Sequence, residues 1–226
     1  MTAYDGFLFD AYGTLFRLEL PNEQLDALTD GRANVLMDIW RSRQLQYTWL
    51  RSLMQRHVDF EQITLEALHF AMDFLQIRNE AVPQLLMPIY LRANCFDEVP
   101  KVLDSLKQLG KKTAILSNGT PRMLQAGVAN AGLQDKIDHL FSVEQVGIFK
   151  PDPRVYQMAI DQLQVEPARI LFVSSNAWDV AGASSAGLSV AWVNRNGHPP
   201  ERLPANVTYE ARDLKDLLEK MKLGHP

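Results

Sequence analysis

Cysteine is almost missing from this chain. Cys95 stands alone, so no disulfide can form within the chain, and no Cys/His pair has the spacing of a metal site. Basic residues are not clustered either. Lys and Arg number 23 against 27 Asp and Glu, giving a net charge of −4 with the positive residues scattered, which excludes the electrostatic footprint of a nucleic-acid binder. No apolar run approaches the ~18 residues of a membrane span. The first six residues lack a charged segment followed by an apolar one, the mark of a secretory leader. Internal repeats and low-complexity tracts are also lacking, and residues 223–226 are expected to be frayed. These absences point to a cytoplasmic protein with neither membrane nor nucleic acid as a partner.

What is present is ordinary globular material: 226 residues, 46% hydrophobic, 9% aromatic and 22% charged, enough for one domain carrying a large insertion. Four short apolar runs, at residues 6–9, 113–116, 170–173 and 189–193, read as buried strands. Helical patterns lie between the later ones. Residues 99–109 repeat apolar side chains at Val99, Val102, Leu103, Leu106 and Leu109 and stop at Gly110, while 121–131 and 153–163 each open on a proline. Such alternation implies an α/β fold, a doubly wound parallel sheet with right-handed crossovers, whose ligands bind beyond the carboxyl ends of the strands.

Residues 16–96 break that alternation. They hold helical patterns and no convincing strand, so they are expected to form an inserted helical-bundle cap on a core of residues 1–15 and 97–226. Leu36, Trp40, Tyr47, Leu50 and Met54 are expected on the inner face of one cap helix, and Ile63, Ala67, Phe70, Ala71 and Phe74 on that of another.

The chemistry-bearing residues gather at the expected strand ends. Asp10 follows Phe7-Leu8-Phe9 directly and precedes Ala11-Tyr12-Gly13-Thr14, where Gly13 permits a sharp turn and the freed backbone N–H groups can bind an anion. Leu116-Ser117-Asn118-Gly119-Thr120 offers a hydroxyl and an amide. Phe149-Lys150-Pro151-Asp152 brings a cation before a rigid turn, and Ser174-Ser175-Asn176-Ala177-Trp178-Asp179 brings a second acid. Singly, Lys150 reads as a surface lysine, and Ser117 or Asp179 as helix caps. Together they describe a pocket with a nucleophile, a cation, an anion grip and a second carboxylate.

In this order and spacing the four motifs resemble those of the haloacid dehalogenase superfamily over nearly the whole chain, whose signature is an aspartate nucleophile after the first strand. That resemblance implies a Rossmann-like core. Phosphatases of the superfamily carry a second aspartate two places after the nucleophile to protonate the leaving alkoxide; here that place is Tyr12. A halide leaves as a stable anion and needs no proton. Ile39-Trp40-Arg41 and the stretch Leu45-Gln46-Tyr47-Thr48-Trp49-Leu50-Arg51 are further similar to the L-2-haloacid dehalogenases. One departure is Ser42, where a larger amide side chain is expected to line the pocket near the substituent.

The resemblance implies the following roles. Asp10 attacks C2 of a short-chain (S)-2-haloacid opposite the halogen, and water then hydrolyses the aspartyl ester, giving an (R)-2-hydroxyacid. Thr14 orients Asp10. Ser117, with backbone N–H groups near Ala11 and Asn118, holds the substrate carboxylate, and Arg41 with Asn118 receives the halide. Lys150 keeps Asp10 ionised, Tyr156 joins its network, and Ser174, Asn176 and Asp179 position or activate the water. Tyr12, Leu45, Phe60 and Trp178 are expected to wall the chamber. His57, His69, His139, His198 and His225 match no motif and are expected to take no part. No metal or other cofactor is expected, and a homodimer is. The alternative is a Mg²⁺-dependent phosphatase of the same superfamily.

Overall fold

The computed structural model describes residues 4–223; residues 1–3 and 224–226, with His225 and most of the expected frayed tail, lie outside them. Among these residues no helix is long and apolar enough to cross a membrane. The elements in chain order are β1 (Gly6–Phe9), β2 (Phe16–Arg17), α1 (Asn22–Leu28), α2 (Ala33–Met54), α3 (Phe60–Phe74), α4 (Ala81–Leu86), β3 (Asn94–Cys95), α5 (Val99–Gln108), β4 (Lys112–Ser117), α6 (Pro121–Asn130), β5 (His139–Ser142), α7 (Pro153–Leu163), β6 (Ile170–Ser174), α8 (Ala177–Ser185), β7 (Ser189–Val193), β8 (Val207–Ala211) and α9 (Leu214–Lys220).

Six strands form one parallel sheet in the order β5-β4-β1-β6-β7-β8, an α/β fold with helices on both faces. Period-two alternation splits the core between those faces. Leu8, Leu116 and Phe172 enter one apolar cluster, while Phe7, Phe9, Ile115 and Val173 enter the other with α5 and α9. The chain leaves β1 for β4 on one side and returns to β6 on the other. The carboxyl ends of these three strands therefore flank the point where strand order reverses, the natural crevice of such a sheet.

Two sheet strands were not read from the sequence. β8 is an edge strand whose only buried residue is Ala211, and β5 begins at an exposed histidine, so neither carries a continuous apolar run. The segment 16–96, expected to lack strands, contributes β2 and β3. They pair antiparallel through Phe16 with Cys95 and Arg17 with Asn94, so the chain enters and leaves the helical stretch side by side.

The buried face of α2 also differs from expectation. It runs through Ala33, Leu36, Trp40, Gln44 and Thr48, while Leu50 and Met54 are 43% and 60% exposed. The two polar members are tolerated because they are hydrogen-bonded, Thr48 to the Leu45 carbonyl and Gln44 to Thr64 and Tyr90. On α3, Ile63, Ala67 and Ala71 are buried as expected, but Phe70 is half-buried and Phe74 is exposed.

The helical stretch is tied to the sheet body by polar contacts. Glu61 of α3 binds Arg122 and accepts from Thr120, the residue that caps α6; Ser52 accepts from the Phe149 N–H at 3.2 Å; His57 meets Glu144 at 3.0 Å.

Candidate active site

Asp10 is fixed by its backbone before its side chain. Its N–H donates to the Val173 carbonyl at 2.9 Å, extending the β1–β6 ladder by one residue. The chain then turns at once. Gly13 has φ +87°, open to glycine at little cost, and the Ala11 carbonyl accepts from Leu15 and Phe16 N–H groups at 2.9 Å. That turn returns Thr14 beneath the carboxylate. Thr14 Oγ1 donates to Asp10 Oδ2 at 3.0 Å and accepts from Ser175 N–H at 2.8 Å, so the hydroxyl is held from both sides.

The two oxygens of Asp10 are unlike. Oδ2 also receives Asn176 Nδ2 at 2.9 Å, with the Ser174 hydroxyl 3.4 Å away, whereas Oδ1 receives only Lys150 Nζ at 3.2 Å. Lys150, 1% exposed, is shared with Asp179 Oδ2 at 2.7 Å and lies over the Phe172 ring. Its main chain is set by two contacts. The Lys150 N–H donates to Asn118 Oδ1 at 3.0 Å, and Asp152 two residues on caps α7. The same α7 carries Tyr156, whose hydroxyl donates to Asp179 Oδ1 at 2.6 Å.

The electrostatics follow from burial and pairing. Burial raises the Asp179 carboxyl to about 6, although Lys150 and the Tyr156 hydroxyl pull the other way. Burial works against the Lys150 ammonium, but Asp179 and Asp10 outweigh it and hold its pKa above the ordinary lysine value. Tyr156 and Tyr12 are both pushed up, first by burial and then by neighbouring groups, and stay protonated.

On its open side Asp10 faces a small chamber of about 30 Å³, walled by Tyr12, Leu45, Phe60 and Trp178 and edged by Arg41, Ser117, Asn118 and Asn176. The Ser117 hydroxyl accepts from the Gly119 N–H at 3.1 Å, which leaves its proton for an anion. The Asn118 carbonyl oxygen is engaged by Lys150, which leaves its NH₂ for the same use.

All eight of these wall and edge residues were expected from the sequence, seven of them within the motifs and Phe60 outside them; Gly119, which also lines the chamber, stands in the Ser117-Asn118 motif without having been singled out, and Tyr90 was not expected. Tyr90 follows the short α4 in a stretch without periodicity, so no sequence signal marks it. Thr14, Tyr156, Ser174 and Asp179 do not reach the chamber and lie behind Asp10. Ala11 is fully buried and its side chain is not on the chamber wall. Ser42 is corrected: it is exposed and faces an outer groove with Ile39, Gln46 and Phe74, one helical position from Arg41 but turned away from it. His57 pairs with Glu144 and is not among the residues lining the chamber.

A divalent ion at this site would draw on Asp10 and Asp179, yet both already bind the Lys150 ammonium. No group of three or more His, Cys, Asp or Glu residues suited to a metal occurs among the described residues. The side chains present do not fit a metal centre.

Fold and site together define a doubly wound α/β protein with a buried carboxylate–ammonium–carboxylate centre under a helical roof. A sequence model of the haloacid dehalogenase-like hydrolases matches residues 4–187, and the chain belongs to that family. It is 44% identical to an (S)-2-haloacid dehalogenase of Pseudomonas sp. (strain YL) over 95% of this chain and 93% of that protein. It is 38% identical to (S)-2-haloacid dehalogenase 4A of Burkholderia cepacia over 93% and 91%. The L-2-haloacid dehalogenase of Xanthobacter autotrophicus with chloropropionic acid covalently bound superimposes with a TM-score of 0.86 at 34% identity, covering 97% of this chain and 98% of that one.

Proposed function

We propose that this chain is an (S)-2-haloacid dehalogenase that converts short-chain (S)-2-haloalkanoic acids to (R)-2-hydroxyacids and halide. The observation that carries the reading is the one-sided coordination of Asp10. Three donors gather at Oδ2, and Oδ1, with one long contact to Lys150, has a lone pair to give. Oδ1 attacks C2 as the carbon–halogen bond breaks, forming an aspartyl ester with inversion. Arg41 and the Asn118 NH₂ receive the halide as its charge develops, and Ser117 with the backbone N–H groups of Ala11 and Asn118 holds the substrate carboxylate. Water then attacks the ester's carboxyl carbon and returns Asp10, so C2 keeps its inverted configuration. Among the groups around Asp10, Asp179 has a basic form near neutral pH and takes the water's proton, with Ser174, 3.4 Å from both carboxylates, and Asn176 ordering that water.

Residue 12 supports carbon–halogen chemistry over phosphoryl transfer. Tyr12 donates its hydroxyl to the Tyr90 carbonyl at 3.3 Å and is held protonated, so it supplies no acid to a leaving alkoxide at neutral pH. The activity named for the relatives supports the same reading. We take residues 1–15 and 97–226 as the core and 16–96 as the cap, and the buried, unpaired Cys95 as fitting the cytoplasm. Leu53 and Phe74, 82% and 67% exposed on α2 and α3, support a homodimer formed through these helices.

The test is chiral. With EDTA present, (S)-2-chloropropionate is expected to yield chloride and (R)-lactate, and (R)-2-chloropropionate neither. Lactate of retained configuration, or phosphate-ester hydrolysis with Mg²⁺ in place of chloride release, would overturn the reading.

A further inference from the structure

Gln44 is a polar side chain in an unexpected place. It is completely buried on the inner face of α2, one turn after Arg41, among Trp40, Phe60 and Tyr90. An amide there is costly unless every group on it is used. Its Oε1 accepts from Arg41 Nη1 at 2.6 Å, and its Nε2 donates to Thr64 Oγ1 at 2.7 Å and to the Tyr90 hydroxyl at 3.0 Å.

The direction of these bonds is dictated by Thr64, 20 residues along the chain. Thr64 spends its one hydroxyl proton on the Phe60 carbonyl at 2.6 Å, so towards Gln44 it can only accept. The amide NH₂ must therefore face Thr64, and the carbonyl oxygen must face Arg41. A flipped amide would set oxygen against a protonless oxygen and N–H against N–H. Thr64 is itself anchored, because its backbone carbonyl accepts from Trp40 Nε1 at 2.8 Å across the α2–α3 contact.

Resting on the dehalogenase reading above, we propose that Gln44 is the positioning residue for Arg41, locking the guanidinium at the chamber edge through an orientation set by Thr64. An amide suits the task because it holds a guanidinium without cancelling its charge. Among the described residues Arg41 has no carboxylate partner, so its full positive charge is left for the departing halide. A carboxylate at residue 44 would tie up that charge.

The readout is leaving-group discrimination in kcat/KM, which reports every step through irreversible halide departure. A misplaced guanidinium costs most where the halide needs most help, so chloride suffers more than bromide. In Gln44→Met, kcat/KM for (S)-2-chloropropionate is expected to fall on the order of 10²-fold and that for (S)-2-bromopropionate by less, widening the bromide-to-chloride ratio at least about threefold over wild type. Thr64→Val, which removes the acceptor that orients the amide, is expected to widen the ratio in the same direction, and Thr64→Ser to recover most of the loss. Equal losses on both acids, or no loss, would overturn the proposal; if Gln44→Met does not fold, Thr64→Val decides alone, an unchanged ratio refuting it. Wild-type protein that releases no halide from either acid would overturn the dehalogenase reading instead, an outcome visible before any variant is compared.

Discussion

Replacing Lys150 by methionine isolates the charge at the centre of the site from its volume. The ammonium serves Asp10 at 3.2 Å and Asp179 at 2.7 Å, and all three groups are buried. Removing one partner of a buried pair costs about 3–5 kcal/mol when the other stays charged. Here the penalty has an outlet, because Asp179 can take up a proton. Its pKa is about 6 with Lys150 pulling it down, and without Lys150 it must be higher. A carboxyl whose folded pKa lies above its unfolded value contributes stability at low pH that is lost as pH rises through the folded pKa. In wild type that loss is complete just above pH 6; in Lys150→Met it continues upward. The gap between the two proteins is therefore expected to be flat below about pH 6 and to widen above it by about 1.4 kcal/mol per pH unit until the variant's own pKa is passed. Urea unfolding of both proteins from pH 5 to 8 measures this directly. A gap that stays constant across the range would mean that Lys150 acts by packing alone and would refute the electrostatic account. Halide release at pH 7.5 is expected to fall on the order of 10²–10³-fold in the same variant.

Tyr156→Phe removes the 2.6 Å hydrogen bond that favours ionised Asp179, so the acid limb of the kcat–pH profile is expected to move from about 6 to higher pH; a limb that stays or moves down would remove Asp179 from the role of base. Gly182→Ala places a Cβ 2.5 Å from both Tyr156 Oη and Pro151 Cβ, so a stability loss of about 1–3 kcal/mol in urea and reduced turnover are expected. Arg41→Lys keeps the charge but loses the planar fork that Gln44 holds, and kcat is expected to drop on the order of 10²–10³-fold in a chloride-release assay. In a single turnover in ¹⁸O-water with enzyme in excess, the label is expected in the Asp10 carboxylate and absent from the hydroxyacid; label in the product alone would mean that water attacks C2 directly.

The parts of the site legible in the sequence are those that parallel-sheet topology forces together. Asp10, Ser117 and Ser174 each stand at or just past the end of an apolar strand, and β4, β1 and β6 are neighbours in register, so local patterns sufficed to converge them. Lys150 was legible for a different reason, since the proline-led helix after it fixes a turn that can be read as written. Gln44, Thr64 and Tyr90 were hidden because what buries them is nonlocal: the partners of Gln44 lie 20 and 46 residues along the chain, and no periodicity within α2 signals that a polar residue is satisfied from α3 and from beyond α4. The same blindness inverted the reading of α2. Counting apolar residues put Leu50 and Met54 inside, yet the helix turns Gln44 and Thr48 inward and leaves those two outside. Hydropathy ranks side chains by what they lose in leaving water, and it misranks a face whose polar members are repaid by hydrogen bonds made across the bundle. A helix that must aim an arginine into a chamber beneath it needs such members on its inner face, so the departure from apolar periodicity at residue 44 is itself a mark of the site.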